Sequence, residues 1–525
     1  MKKQVLSVWV FCSALGIAQA QTDVTKEYLV NPSFETLKAA DGATDVTVKT
    51  KLENGLYGWE ISRLGNNGNS TFQVESQESG SSSDFPGNGF IVPTEGTYYY
   101  FNSQTWMYGS NESVIKTQTS NPLEAGNYYL TIDYKAADYS NNNTDGNGTS
   151  LGLKVHKAGS EELLGENTAV RRAYSVINNN ASPNGDKYMQ DAPWDKMGVM
   201  FTITESSNID ITIAQTLKSR GRSDVAYDNL KLYKMDEISE SFPLDVSFLI
   251  SNANDYAFGG WKMEGGNTFQ INTWSTEGNT DGSNMTTPFI QDHVGKENKA
   301  ANAIISHTSN YLIPGIYEVS GLIRVLNEAG GAAPSGATLY ANEGSTDACA
   351  GTSCTNGVYG TYTVKGTVGT DGVLTFGIKV ANANFNWVSF KDFKLQYLGA
   401  ATTGQLKAIL KEKMTEAQAC VANCSKGIAA IVNAAITQGN NAQDTEESLN
   451  AAITALTQAI ALAEQAAPAT EAFKTLMATC QGYANHSSAE ESVKQAFQKA
   501  MTDAQAALDA ATTVESSHQT FANGM

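Results

Sequence analysis

The side chains best suited to chemistry in this chain are aromatic rings set among amides. Tyr98, Tyr99, Tyr100 and Phe101 run consecutively, and Trp106, Tyr108, Tyr188 and Trp194 follow, interleaved with Asn102, Gln104 and Asn111. The C–H face of a pyranose packs on a π surface while amides and acids take its hydroxyls, so this mixture suits a sugar site in a preformed cleft. Alternation along a strand sends half of Tyr98 to Phe101 into the core. Trp106 and Trp194 stand among Asn, Gln, Asp and Gly in loop-like sequence, which favours exposure. Trp274, Phe289, His293 and Trp387 form a second, sparser set. Trp59 and Trp261 each follow a glycine and read as core plugs, whereas His307 and Arg324 flank strands within reach of a site and read as satisfied surface groups.

Catalytic chemistry has a thin inventory beside this. The five histidines, His156, His293, His307, His486 and His518, include no His-Glu-x-x-His pair for zinc, and no serine nucleophile elbow is expected. Among 54 acids, no two stand out as a glycosidase pair. Asn141, Asn143, Asp145 and Gly146 mimic half of an EF-hand loop, but Gly152 stands where the bidentate Glu belongs, so a solvated hairpin loop is expected. The expectation is a non-catalytic protein.

Composition sets the frame that must position these groups. A chain of 525 residues holds about three or four domains at 100 to 200 residues each. With 35 Lys+Arg against 54 Asp+Glu the net charge is −19, which repels phosphate backbones, so nucleic acid is excluded as a partner. Lys2 and Lys3, an apolar run from Val5 to Ile17 and Ala18-Gln19-Ala20 read as a signal peptide over residues 1–20, cleaved after Ala20. No later run is long and apolar enough to span a bilayer, so the mature chain is expected to be exported, as a periplasmic, surface-associated or secreted protein. Five cysteines then remain. Cys349 and Cys354 flank a flexible tetrapeptide that can close a small disulfide loop, and either Cys420 or Cys424 is expected to pair with Cys480 on a packed helix.

From about residue 22 to 400 the chain reads as short alternating strands separated by Gly, Asn, Asp and Ser clusters, the pattern of antiparallel sandwiches. Leu130 and Ile132 face one way and Thr131 and Asp133 the other; Leu151, Leu153 and Val155, then Ile209, Ile211 and Ile213, then Leu374, Phe376, Ile378 and Val380, alternate likewise. An internal repeat divides this stretch into 22–236 and 240–399. Each copy opens with an apolar, Asn-containing strand (Tyr28 to Glu35, Phe248 to Asn252) and continues with Gly58-Trp59 or Gly260-Trp261. A turn into a strand follows, Leu123 to Tyr128 or Leu312 to Tyr317, and the close is Val225 to Leu232 or Val388 to Leu395. The apolar phase of the closing strand switches at a polar pair, Asp228-Asn229 or Lys391-Asp392, which a β-bulge reconciles.

The order Asn31-Pro32-Ser33-Phe34-Glu35, Gly-Trp, a Gly-x-Tyr strand and a final Asp228-Asn229-Leu230-Lys231-Leu232 resembles the galactose-binding-like β-jelly rolls used as carbohydrate-binding modules. The arrangement is similar to exported polysaccharide-associated proteins of Bacteroidetes. The second copy lacks the Pro-Ser-Phe-Glu part. The resemblance implies two jelly-roll domains, a polysaccharide or glycan as partner, and a structural Ca²⁺ between the opening and closing strands of the first, at Glu35 and Asp228. Lys391 replaces Asp228 in the second.

After Gly399 the composition turns to Ala, Gln, Lys and Glu with a period near 3.5, predicting a helical bundle over 402–525. Leu410, Met414, Ala417, Val421, Cys424, Ile428, Ile431 and Ala435 form one seam, and Leu449, Ile453, Leu456, Ile460 and Ala463 a second. Asp444 with Glu447, and Ser488 with Glu491, have capping spacing, and Pro468 should kink the second helix or start another. A third helix should turn Val493, Phe497, Met501, Ala504 and Leu508 inward. The bundle resembles FIVAR-type spacers of bacterial surface proteins, which implies a spacer or a docking element for a protein partner. The ligand-contact candidates are Trp106, Tyr108, Trp194, Tyr188, Trp274 and Trp387. The alternatives to a glycan-binding role are a structural or adhesive surface protein that binds a protein partner, and an accessory part of a polysaccharide-degrading system with an unrecognised enzymatic site.

Overall fold

The computed structural model describes residues 21–52, 55–64, 69–77, 91–105, 111–138, 149–171, 194–217, 222–236, 238–250, 260–266, 269–272, 289–350, 357–484, 490–514 and 516. Trp106, Tyr108, Tyr188, Trp274, Cys354, the 141–146 loop and the leader at 1–20 lie outside them.

The first unit comprises β1 Gln21–Asp23, β2 Glu60–Leu64, β3 Asn69–Ser76, β4 Tyr98–Thr105, β5 Asn111–Gln118, β6 Gly126–Asp138, β7 Thr149–Lys157, β8 Leu163–Arg171, β9 Asp195–Ile203, β10 Ile209–Leu217 and β11 Arg222–Met235. The second comprises β12 Leu244–Asp245, β13 Trp261–Gly265, β14 Phe269–Asn272, β15 Phe289–His293, β16 Ala303–Ser309, β17 Gly315–Leu326, β18 Ala337–Ala341, β19 Gly344–Asp347, β20 Gly360–Val368, β21 Leu374–Val380 and β22 Trp387–Tyr397. In the first, a six-stranded sheet ordered β3-β4-β11-β6-β9, with β1 added on β11, faces a five-stranded sheet ordered β2-β5-β10-β7-β8. The second repeats this strand for strand: β14-β15-β22-β17-β20 with β12 on β22, facing β13-β16-β21-β18-β19. Period-2 patterning explains the layers. Leu130, Ile132, Leu151, Leu153, Val155, Ile209, Ile211 and Ile213 point into the first core, and Leu374, Phe376, Ile378 and Val380 into the second. Trp59 and Trp261 are buried in these cores.

Each closing strand lies in the middle of its six-stranded sheet. Its polar pair makes the bulge that the phase change requires: Asn229 and Asp392 take φ of 56° and 51°, and pairing shifts register there in both units. The unit's first residues are stitched to that strand by a motif absent from the repeat read above, Asp23-Val24-Thr25 and Asp245-Val246-Ser247. Asp23 Oδ1 accepts the Thr25 amide and Asp245 Oδ1 the Ser247 amide, both at 2.9 Å. Thr25 Oγ1 accepts the Leu232 amide at 2.9 Å, and Ser247 Oγ the Leu395 amide at 3.0 Å. The segments after the motif are helical turns, Thr25–Tyr28 and Ser247–Leu249, instead of the strands the apolar pattern suggests. These stitches use the backbone donors that a strand would need, and the turn satisfies the rest locally. A further pair repeats at Gly126 and Gly315, where φ of 155° and 152° leads into a tyrosine whose hydroxyl donates four residues back: Tyr128 to the Glu124 carbonyl at 3.0 Å, Tyr317 to the Ile313 carbonyl at 2.8 Å.

The units dock through one end of the first unit's outer six-stranded face. Tyr129 stacks on Tyr233 at 4.6 Å and on Phe248 at 5.3 Å, and Met200 joins the second unit's core beside Tyr317. Phe248 lies on Gly198, where any Cβ would come within 2.5 Å of its ring. In the second unit strand pairing puts Glu318, Thr363, Lys365 and Gln396 at the positions of Tyr129, Gly198, Met200 and Tyr233. Polar side chains there remove the apolar surface that would receive a third unit.

The helices are α1 Thr403–Val421, α2 Lys426–Asn440, α3 Glu446–Ala484 and α4 Glu491–Ala510. Thr402 and Gln405 form a capping box at α1, and Thr445 Oγ1, one residue after the expected Asp444, accepts the Ser448 amide at α3. The first seam crosses a break at 422–425, so Cys424 sits in a turn after α1, and α3 runs through Pro468 without a second start. Leu406, Leu410, Val432, Leu449 and Leu456 pack with Ile316 and Leu398 of the second unit, which fixes the helices to that sandwich. Two expectations fail. Cys420, Cys424 and Cys480 are unpaired thiols, with the Cys424 thiol directed at the Cys420 carbonyl 3.2 Å away. Of the α4 seam only Met501 and Leu508 are buried, while Val493 is 58% exposed, because α4 meets the other helices over its C-terminal half.

His307, expected at the surface, is buried between Trp261 and Phe376, and burial lowers its pKa to about 4. A folded pKa below the unfolded one gives stability that is complete above about pH 6.5 and lost as pH falls toward 4. Urea denaturation across that window should show His307→Leu losing about 3 kcal/mol less than the native chain; parallel pH profiles would contradict the buried neutral imidazole.

Candidate functional site

The outer faces of the two six-stranded sheets carry the polar and aromatic groups that the cores do not use. In the first unit Tyr99, Phe101 and Ala226 point outward and form a separate cluster with Ile91 and Trp194. Tyr99, Tyr100 and Phe101 of the tyrosine-rich run are therefore all buried and Tyr98 is half-buried, where alternation alone assigns only half to the core. Trp194 stands edge-on over Tyr99, with ring centroids 6.4 Å apart and planes at 79°, and its indole N–H donates to the Val92 carbonyl at 2.8 Å. The ring is half-buried and oriented by that bond. Beside it Glu75 accepts the Tyr99 hydroxyl at 2.8 Å and an amide hydrogen from Gln73. Burial pushes the Glu75 carboxyl up, and the two hydrogen bonds offset part of that.

The second unit builds the same corner from different residues. Pairing of Tyr134 with Asp195 and of Ile323 with Gly360 makes Tyr359 the counterpart of Trp194, and Phe289 the counterpart of Tyr99. Tyr359 stands edge-on over Phe289 at 6.5 Å and 68°, and its hydroxyl donates to Ser389 Oγ at 2.8 Å. Lys391 Nζ lies 5.7 Å from the Tyr359 ring. Sequence reading missed Tyr359; its signal is its place immediately before the strand equivalent to β9, visible only once the strands are aligned.

Trp387 was expected to offer a face to ligand. Both of its faces are taken: Arg324 lies 4.1 Å above one, and His293 stacks on the other at 4.2 Å. Its N–H donates to Gln291 Oε1 at 3.0 Å, and it is 5% exposed. Arg324, read as a surface group, is correspondingly buried. The accessible member of this stack is His293, whose Nε2 meets Glu328 Oε2 at 2.9 Å. Burial alone would raise Glu328, but hydrogen bonds from His293 and Asn386 hold it below the usual carboxylate range.

Glu35 and Asp228, the residues proposed for calcium, close on a shared turn instead of on each other. Glu35 Oε1 accepts the amides of Thr97 at 2.9 Å and Tyr98 at 2.8 Å. Asp228 Oδ2 accepts the Thr94 amide at 2.7 Å, its hydroxyl at 3.0 Å and the Glu95 amide at 3.0 Å, and Oδ1 accepts the Asn229 amide. Burial pushes Asp228 up to about 6 against the pull of these donors. Among the described residues no three acidic, His or Cys side chains converge. This arrangement does not fit a resident ion shared by the two carboxylates, because each grips backbone amides of the 94–98 turn instead of converging on a common point.

Two other motifs resolve simply. Gly148-Thr149-Ser150-Leu151-Gly152 does carry the spacing of a nucleophile elbow, yet Ser150 lies inside β7 opposite Thr216, where no strand-to-helix turn presents it. Cys349 donates its amide to Asp347 Oδ1 at 2.8 Å, in a turn leading toward the undescribed Cys354.

No family model matches the sequence, and no curated protein matches it. Solved structures similar to it include a family-61 carbohydrate-binding module in complex with β-1,4-galactotriose, 16% identical, covering 39% of this chain and 97% of its own at a TM-score of 0.23. A tandem of family-22 carbohydrate-binding modules from Paenibacillus barcinonensis is 10% identical and covers 73% of this chain and 99% of its own, at 0.21. A Stig cyclase from Fischerella sp. TAU is 13% identical and covers 40% and 97%, at 0.25.

Asp228→Ala strands the Thr94, Glu95 and Asn229 amides and should destabilise the protein by about 2–3 kcal/mol. EDTA should leave the melting temperature of the native chain unchanged, and a fall of several degrees on chelation would restore the ion.

Proposed function

We propose that the chain is a non-catalytic carbohydrate-binding protein that presents glycan sites on the outer faces of its two six-stranded sheets. The observation that carries this reading is the repeated aromatic corner: Trp194 over Tyr99 in one unit and Tyr359 over Phe289 in the other, each half-buried ring pinned by its own polar atom. A pinned ring loses little further freedom on binding, which favours stacking against a sugar's C–H face. In the first unit the buried Gln73 and Glu75 hold Tyr99 beneath the ring, and in the second His293, Glu328 and Lys391 stand near the corner as hydrogen-bonding groups suited to hydroxyls. Export through the N-terminal leader, and a spacer role for the helices, belong to the same proposal. The docking of α1 to α3 on the second unit supports a rigid spacer over a loose one.

The test is pull-down and isothermal titration of the chain from residue 21 onward against plant, host and microbial polysaccharides. Trp194→Ala and Tyr359→Ala should each weaken binding to the retained polysaccharide by tenfold or more, with unchanged secondary structure. Binding that survives in the double variant would remove both corners from the site, and release of reducing ends would replace the non-catalytic reading with an enzymatic one.

A further inference from the structure

The two outer faces differ at the place where a chain-like ligand would leave the aromatic corner. On the second unit a cleft of about 550 Å³ runs along the strands beyond Tyr359 and Lys391, lined by Asp245, Ser247, Ser320, Leu322, Thr361 and Lys394. Its walls are hydroxyls, the side chains of Leu322 and Phe393, and charges of both signs, and beyond its far end lie the polar positions Glu318, Thr363 and Gln396, all at least partly exposed. From Leu326 beside the aromatic stack to Ser320 the outer face of β17 extends six residues, about 20 Å, which is long for a single sugar.

Strand pairing puts Thr131, Asp133, Lys196 and Lys231 of the first unit at the positions of Ser320, Leu322, Thr361 and Lys394. Over β6 and β9 that groove is filled from within, while its corner at Asp23, Thr25 and Lys231 opens away from them, toward Asn31 and Glu35, in a cleft of about 740 Å³. Lys196 pairs with Asp133, Asn229 Nδ2 donates to the other Asp133 oxygen at 2.8 Å, and Lys231 pairs with Glu95 at 2.6 Å. Beyond these ion pairs the second unit's Phe248 lies on Gly198 and Tyr129 and closes the end.

We propose that the two units divide the work: the second unit's open groove takes an internal stretch of a polysaccharide, while the path along β6 and β9 of the first is shut by its own Asp133–Lys196 pair and by the docked Phe248. This rests on the carbohydrate-binding reading and adds to it which unit grips the polymer and along which residues. Small hydroxyl side chains at Ser247, Ser320 and Thr361 leave room for a chain and match its hydroxyls, and the open end lets it continue past the protein. In the first unit a ligand entering at Trp194 meets buried charge that is already paired, and displacing it would leave Asp133 unpaired.

The experiment titrates the chain from residue 21 onward with soluble β-1,4-galactan, mixed-linkage β-glucan and xylan, each as polymer and as tetrasaccharide. Thr361→Trp fills the open groove and Lys394→Glu reverses a charge on its wall; Lys196→Trp places the same bulk at the equivalent position of the first unit. The expected result is that Thr361→Trp loses more than tenfold in polymer affinity and Lys394→Glu loses several-fold, while Lys196→Trp changes it less than twofold, with melting curves confirming that each variant is folded. Polymer binding that is insensitive to Thr361→Trp and Lys394→Glu yet lost in Tyr359→Ala would overturn the groove and leave the carbohydrate reading standing. Equal losses in Thr361→Trp and Lys196→Trp would overturn the division between units. No binding of any polymer or tetrasaccharide by the native chain would overturn the carbohydrate reading itself and the groove with it.

Discussion

Each unit depends on where its last strand goes. β11 and β22 enter the middle of their six-stranded sheets, between strands made earlier, and receive the opening Asp-Val-Thr or Asp-Val-Ser segment along one edge. Neither sheet is continuous until about two hundred residues in the first unit, and about one hundred and fifty in the second, have been placed, so these are contacts of long sequence separation with the slow folding that follows. The bulge in that strand then has two consequences. It keeps the aromatic half and the half holding Leu230 and Leu232, or Phe393 and Leu395, facing one core, and it turns Asp228 or Lys391 to the neighbouring surface, where one grips a turn and the other stands beside Tyr359.

The outer faces follow from the same frame. A strand that is central on both edges exposes only its faces, and the inner one is committed to the core, so any ligand chemistry on this sheet must lie outside. The two units spend that face differently. The first gives one end of it to Tyr129, Met200 and Tyr233 and docks its neighbour there, whereas the second carries Glu318, Lys365 and Gln396 and stays open. One repeated fold thereby yields one face that joins units and one that leaves a groove.

Legibility in the sequence tracked the range of the interaction. The alternating strands, the closing-strand bulge and the second helical seam were readable, because period 2, a phase change and period 3.5 are local. The opening Asp-Val-Thr and Asp-Val-Ser were passed over because three common residues carry little signal, and their partners Leu232 and Leu395 lie far along the chain. Trp387 and Arg324 were misplaced for a related reason: a tryptophan in polar sequence reads as exposed, but Arg324 and His293 come from separate strands to cover its two faces. The calcium expectation at Glu35 and Asp228 rests on acidic residues at matching positions, which say nothing of the Thr94, Glu95, Thr97 and Tyr98 amides that these carboxylates grip. The whole of α4 from Val493 to Leu508 reads as an inward seam, yet its periodicity cannot say how many neighbours the helix has, and Val493 meets none that buries it.

The central claim is that glycan lies on the outer six-stranded face of the second unit. Hydrogen–deuterium exchange with and without a saturating polysaccharide measures this most directly. Slowed exchange that includes residues 244–248, 357–363 and 391–394 is the predicted result, since these segments line the groove and the Tyr359 corner. Protection on the five-stranded sheet, on β18 and β21, with none on these segments, would contradict it.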